Sequence, residues 1–311
     1  MDVCINELSQ LNDTQSRRYT LDEINCMWQK FCEVLFTVAK ELPGRVQLYS
    51  QSGVQSIILV KGFSAAKAMS MLSRDQRQSL YTWISRGRCY ASGCFSEDEV
   101  YYQDKSVMGF LYAYKLDGLA VSLDNGDAHW QQDKLSVQCY RLNEQAQSRQ
   151  SEEIIYHAST KEHVKKCAAH FQSVDYVVKQ ITNRMTLEKN AADFFPYLCF
   201  SDTFYTELAA QALGADAFAV IVRKLYRLNN FMSDGTQNWG LLGDYSSEGE
   251  QTRKRYKQDR EFCFRDQTKS CILHMKNMQY NLRVHFQCDF QNQIAYVGYA
   301  GRHLPTVKYS K

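Results

Sequence analysis

The spacing of apolar residues marks the helices first. From Ile24 through Met27, Trp28, Phe31, Val34 and Leu35 to Val38, apolar side chains recur three or four residues apart, the period of an amphipathic helix. Thr20 precedes this run as an N-cap, with Glu23 as its capping-box partner, and Pro43-Gly44 ends it. A longer stripe runs through Val164, Cys167, Phe171, Val174, Val178, Ile181 and Met185, behind Ser159 and Glu162 as a second capping box. It predicts one long helix over 159–190. Further helices are predicted over 63–86, as one or two, and over 203–213 and 216–229 on either side of Gly214.

Alternation at period two marks the strands. VQLYS (46–50) and SIILVKG (56–62) flank the turn residues Gln51 to Gly53, and LSVQCYRL (135–142) is another alternating run. Segments 260–265, 271–275, 282–286 and 294–299 follow with short connections, as in an antiparallel meander. VMGFLYAYKLDGLAVSL (107–123) reads as a hairpin about Asp117-Gly118 or as a segment that begins as helix. Residues 1–19 are polar and expected to fray, 143–153 reads as a linker, and 233–249 reads as a Gly/Ser/Asp-rich loop. The pattern predicts an α+β chain in three parts. An N-terminal α+β regulatory or partner-binding domain covers 1–158, a connecting helix 159–190, and a C-terminal domain 191–311, with helices and a small twisted antiparallel sheet.

Composition narrows the function classes. With 311 residues, 44% hydrophobic and 23% charged, the chain is neither disordered nor membranous. No apolar run approaches the roughly 18 residues of a membrane span. The eleven cysteines contain no CxxC pair, which argues against a secreted disulfide framework. The polar N-terminus does not read as a signal peptide, so a cytoplasmic protein without a membrane partner is expected. No GxxxxGK[ST], GxGxxG or GxSxG is present, so nucleotide hydrolysis, a dinucleotide cofactor and a serine nucleophile elbow have no support, and no cofactor is expected.

Charge changes the picture more. Net charge is only +3, yet Tyr245 to Lys311 carries twelve Lys/Arg against six Asp/Glu. Alternation places His274 and Lys276 opposite Met275, and Arg283 and His285 opposite Leu282, Val284 and Phe286. The apolar face is expected to pack on helices and the basic face to stay open. Such a face suits a phosphate backbone. RNA cleavage through the 2′-hydroxyl needs a base, cations on the phosphate and an acid for the leaving oxygen. His274, His285, His303 and Tyr309 are the proton-transfer candidates, and Lys276, Arg283 and Arg302 the phosphate clamps. Arg253, Lys254, Arg255 and Lys257, with Lys308, are candidates for holding the backbone, and Tyr256 for stacking on a base. Glu248 and Glu261 are alternative carboxylate bases. No metal is expected: His163, Cys167 and His170 lie on a packing helix, and Cys263, Cys271 and Cys288 lack ligand spacing. His129 and His157 are expected to be structural.

On these residues the C-terminal third resembles the RelE/HigB class of toxin endoribonucleases. The resemblance is carried by Arg283, the CDFQNQ turn, IAYVGY, Gly301 with Arg302 and His303, and Tyr309, with His274 and Lys276 on the preceding strand. Leu304-Pro305-Thr306 replaces the charged stretch such toxins often carry, and the chain is about three times their length. The wording H-x-K, R-x-H-F and G-x-H-L-P-T is also similar to that of two-domain bacterial proteins found near phage-defence genes. The resemblance implies a RelE-like fold in the C-terminal domain and a toxin-type effector of anti-phage defence, with metal-independent RNA cleavage or RNA binding on the basic sheet. It leaves two alternatives open: a non-catalytic protein- or nucleic-acid-binding component of a defence complex, and a DNA-directed nuclease. RNA or DNA is the implied partner of the C-terminal domain, and a protein that of the N-terminal domain.

Overall fold

The computed structural model describes residues 1–10, 19–60, 63–90, 98–142, 148–237, 239–242, 245–265, 267–276, 278 and 282–307. The chain forms two compact units, the first made of residues 1–142 and 148–172, the second taking the chain from Ser173 onward. Both mix helices and strands, consistent with the α+β expectation.

The first unit is built on β1 (Asp2–Ile5), flanked by helix α1 (Leu21–Glu41) and strand β2 (Gln47–Ser50). The short strands β3 (Ile58–Val60) and β4 (Phe63–Ser64) pair with each other, and helices α2 (Ala65–Met69) and α3 (Arg74–Ser85) lead to β5 (Arg88–Cys89). Next come β6 (Asp98–Tyr102), β7 (Lys105–Ser106), α4 (Met108–Leu116), β8 (Leu119–Val121), β9 (Lys134–Leu142) and β10 (Ser148–Ala158). They form one sheet in the order β5-β2-β1-β8-β10-β9-β6-β7. The first five of these run parallel, and β9, β6 and β7 add antiparallel pairs.

Both faces of the parallel part are covered. Val3, Leu48, Leu119 and Val121 pack with Trp28, Phe31 and Leu35 of α1, while Cys4, Tyr49 and Ala120 pack with Phe110 and other residues of α4. That burial corrects the expectation of fraying for Asp2–Ile5, while residues 11–18 of the same stretch lie outside the described residues. Val3 and Cys4 are fully buried in a central strand, but a four-residue strand covered on both sides shows no alternation. The same effect settles 107–123. Phe110 to Lys115 are buried all round, so α4 has no polar stripe, and Asp117 at φ 54° ends the helix instead of turning a hairpin. The expected linker is in part a strand: Ser148 to Tyr156 pair with β9, with Gln150 and Glu152 exposed and Glu153 and Ile155 buried. Residues 143–147 of it lie outside the described residues.

Two predicted caps meet different outcomes. Thr20 and Glu23 form their capping box, with Thr20 N donating to Glu23 Oε2 at 2.6 Å. The second helix, α5 (Lys161–Gln180), is instead capped by Thr160, whose hydroxyl accepts from His163 N at 3.3 Å. Ser159 donates to Trp130 O. The expected single helix over 159–190 is two: α5 stops before Ile181, and α6 (Arg184–Phe194) restarts behind an Asn183 cap. The boundary between the units falls inside α5, after Gln172.

The second unit continues with β11 (Leu198–Phe200), α7 (Asp202–Ala210), α8 (Ala215–Asp234) and α9 (Trp239–Leu242). It ends with β12 (Tyr245–Ser247), α10 (Glu250–Arg255), β13 (Glu261–Phe264), β14 (Gln267–Ser270), β15 (Leu273–Met275), β16 (Leu282–Asp289) and β17 (Ile294–Arg302). The region expected as a loop over 233–249 therefore supplies an edge strand. The sheet order is β11-β17-β16-β15-β12, antiparallel except for β11 against β17. β13 and β14 leave the expected meander and pair only with each other.

One face of this sheet, with Met275, Val284, Phe286 and Val297, packs on Phe218, Ile221, Leu225 and Leu228 of α8. The other face is covered, not open. Phe262 and Phe264 of the β13–β14 hairpin pack on Tyr296 and Tyr299. Gly298 permits this. A Cβ there would meet the Phe262 ring at 2.2 Å. Gly298 is also the unpaired residue where register shifts between His285 and Phe286, and the bulge turns Tyr299 to the hairpin side.

Polar groups fill the point in the first unit where the parallel strand order reverses, between β1 and β8. Asn6 Nδ2 donates to Ser122 Oγ at 2.9 Å, Ser122 Oγ lies 2.7 Å from His157 Nε2, and His157 Nδ1 lies 2.6 Å from Gln132 O. A neutral His157 satisfies the chain: Nδ1–H donates to the carbonyl and Nε2 accepts from the serine. Burial pushes its pKa down to about 4. The unfolded chain therefore takes up a proton below about 6.5 that the folded chain refuses. Stability contributed here is present above that pH and lost as pH falls toward 4. Urea unfolding of the first unit is expected to lose about 2 kcal/mol from this group between pH 7 and 5, with the pH slope reduced in His157→Gln. In the second unit, Gly298→Ala is expected to cost about 1–3 kcal/mol by overpacking, read by the same measurement.

Candidate nucleic-acid interface

The predicted basic residues come together where β15, β16 and the end of β17 adjoin. His274 and His285 are cross-strand partners with ring centroids 5.0 Å apart. Arg283 pairs with Gly301, and Arg302 with Leu282, so the end of β17 runs beside the start of β16. The His303 ring lies 6.3 Å from that of His274.

Their exposure is graded. Arg302 is exposed; Lys276, Arg283 and His303 are half-buried; His274 and His285 are buried at 2% and 1% exposure. Alternation did place the two histidines opposite the helix-facing residues, but both are enclosed, His285 by Tyr299 and Cys271 and His274 by Ser246, Glu248 and His303. The expectation that they line an open concavity is corrected by this enclosure. Burial drives the pKa of His274 well below the ordinary histidine value, with His285, Lys276, Arg283 and His303 adding to the effect. Burial, followed by the Arg260 charge, pushes His285 down to about 3. Both are neutral imidazoles at neutral pH. Of the proton-transfer candidates among the described residues, only His303 stands at the surface. Its Nδ1 lies 2.7 Å from Leu304 O. Tyr309 and Lys308 lie outside the described residues.

Beneath the histidines is a buried ion pair that patterning did not reveal. Arg260 donates to Glu248 Oε1 through Nη2 at 3.0 Å and Nε at 3.3 Å, both side chains being 1% exposed. Glu248 Oε1 is also 3.8 Å from His274 Nδ1. Glu248 was a candidate base on sequence; Arg260 looked like the start of a strand, and twelve residues separate the two. Glu261, the other candidate base, lies 3.4 Å from Lys257 near the surface.

The basic run sits directly above this pair in the chain. α10 begins two residues after Glu248 and ends five before Arg260, and its buried Thr252 accepts from Val307 N at 3.4 Å. The helix is thereby tethered at both ends, and it holds Arg253, Lys254 and Arg255 in solvent. Lys254 pairs with Glu250 at 2.7 Å, whereas Arg253, Arg255 and Arg302 have no ion-pair partner among the described residues. Tyr256 is half-buried, with the guanidinium groups of Arg255 and Arg260 5.5 and 6.0 Å from its ring centre, so cation–π contacts engage the ring expected to stack on a base.

No family model, curated protein or solved structure matches this chain. No helix among the described residues is long and apolar enough to cross a membrane. The alternative metal positions on α5 belong to packing: Cys167 is buried in the core, His163 Nδ1 accepts from Ser159 N at 3.4 Å, and His170 stacks on Tyr156.

Removing one member of a buried pair leaves the other charge uncompensated, which costs about 3–5 kcal/mol, whereas replacing both with apolar residues is far milder. Glu248→Ala is expected to destabilise the second unit by that amount and Glu248→Leu with Arg260→Met by much less, measured by chemical denaturation.

Proposed function

We propose that the second unit binds the phosphate backbone of RNA, with Lys276, Arg283, Arg302 and His303 as the contact rim and α10 as the approach surface. The observation that carries this reading is convergence. Basic residues from three strands meet at one place, and the helix tied to Val307 after β17 adds Arg253 and Arg255, which have no acidic partner among the described residues. Arginines held this way suit bidentate contact to phosphate, and the charge excess of 245–311 suits a polyanion.

In its toxin-type form this reading adds RNA cleavage, as the effector of an anti-phage defence system. Burial of His274 and His285 favours binding over metal-independent cleavage, because side chains 2% and 1% exposed do not reach a 2′-hydroxyl. DNA remains the competing ligand, and the first unit is assigned to a protein partner on the same proposal.

Fluorescence anisotropy with single-stranded RNA and DNA of one sequence, in EDTA, tests it. RNA binding is expected, with Arg283→Ala weakening it about tenfold, the scale of one charge-assisted contact. Arg253→Ala with Arg255→Ala is expected to reduce the slope of log K against log salt by about 1.4. Absence of binding to either strand at low salt would sink the proposal. Recovery of intact RNA after incubation would remove the cleaving form and leave the binding one.

A further inference from the structure

The buried face of the second sheet carries one more arrangement, and it does not depend on RNA binding. One ligand atom each of Glu248, His274 and His285 lies within 4.8 Å of the other two, all three residues being buried. We propose that these residues bind a divalent transition-metal ion of the Zn²⁺ class.

The ligand set is the first reason. Two imidazoles and one carboxylate suit Zn²⁺, Co²⁺, Fe²⁺ or Ni²⁺ and are poor for Ca²⁺ or Mg²⁺, which take oxygen. The second is how the ligands are placed. His274 and His285 face each other across β15 and β16, and Ser246 on β12 is the next residue in that row. Glu248 follows two residues after Ser246, with its backbone N bonded to Ile272 O at 2.9 Å. The ligands therefore stand on or beside paired strands, whose geometry is more exact than that of a free loop.

The third reason is orientation. The Nε2 of His274 is held 2.9 Å from Ser246 Oγ, which turns Nδ1 toward Glu248. That Nδ1 is buried and has no hydrogen-bond partner among the described residues; Glu248 Oε1, at 3.8 Å, is beyond hydrogen-bond reach. His285 has its Nδ1 3.4 Å from Cys271 O, and Arg260 holds the Glu248 carboxylate. Metal-binding imidazoles and carboxylates are oriented by such outer partners. Left without an ion, an orphaned ring nitrogen faces a carboxylate where water does not reach, an arrangement that costs free energy. An ion there would give that nitrogen a partner. Ligand atoms on one tetrahedral ion stand about 3.4 Å apart, so closing the present spread takes side-chain rotations of about an ångström. The arginine beside the carboxylate leaves the ion's charge only partly offset, so the site would hold an exchangeable anion or hydroxide in a remaining position.

The full chain, stripped with EDTA and dialysed free of it, is titrated with Co²⁺ by visible absorption and with Zn²⁺ in competition with a colorimetric chelator. One ion per chain is expected. Glu248→Gln and His285→Gln are each expected to weaken it at least 100-fold, and Ser246→Ala, which removes only an outer partner, about tenfold. His163→Ala is the unaffected control. The proposal is overturned if the wild type shows no saturable binding, or if folded Glu248→Gln and His285→Gln retain wild-type affinity. Should either ligand variant fail to fold, Ser246→Ala decides, and unchanged affinity there overturns it. The RNA assay runs in EDTA, so the two proposals fail separately.

Discussion

The second unit depends on the buried pair of Glu248 and Arg260. A guanidinium and a carboxylate, each 1% exposed, pair beside a five-stranded sheet, where their mutual attraction offsets part of the cost of taking both out of water. They also set the chain's course. Glu248 follows the edge strand β12, and Arg260 lies immediately before β13, so the pair fixes where α10 leaves the sheet and where the covering hairpin begins. Arg260 also depresses the His285 pKa, after burial, so the same charge helps keep that imidazole neutral. One interaction therefore brackets both the exposed basic helix and the start of the covering hairpin.

That cover depends on a local backbone feature. With strict alternation along β17, Tyr299 would share a face with Val297 and point at the helices. The bulge at Gly298 shifts the phase, so Val297 and Ala300 face the helices while Tyr299 joins Phe262. A side chain at 298 would occupy the space of the Phe262 ring. The bulge thus supplies the aromatic platform on which the hairpin packs, and the same Tyr299 ring lies against His285.

Much of this architecture was legible in the sequence where a single face is buried. The α1 stripe with its Thr20 cap, the helix after Gly214, and the opposed faces of His285 and Val284 were all readable from the sequence. Legibility failed where both faces are buried or where a polar segment is paired. β1 and α4 are apolar on every side and show no period. β10 looked like a linker because its exposed half is paired with β9, with backbone groups satisfied but few side chains buried. The site was legible in part. The basic residues do converge, but alternation says only which side of a strand a residue takes, not whether another element lies over that side. The partner of Glu248 was invisible for a different reason: residues twelve apart across a helix carry no periodic signal.

The difference between rim and interior decides what chemistry the unit can support. At the rim, Arg302 is exposed and the α10 arginines stand in solvent, so their charges are screened, act over a short range and suit reversible contact with a phosphate backbone. In the interior, neutral imidazoles beside a fixed carboxylate offer lone pairs, not protons, and lone pairs in a dry site serve as ligands rather than as acids. General acid–base catalysis by His274 or His285 would require both rings to become exposed and to regain their ordinary basicity. Binding at the rim and coordination within require neither, and the closed arrangement of β13, β14 and the sheet is compatible with both at once.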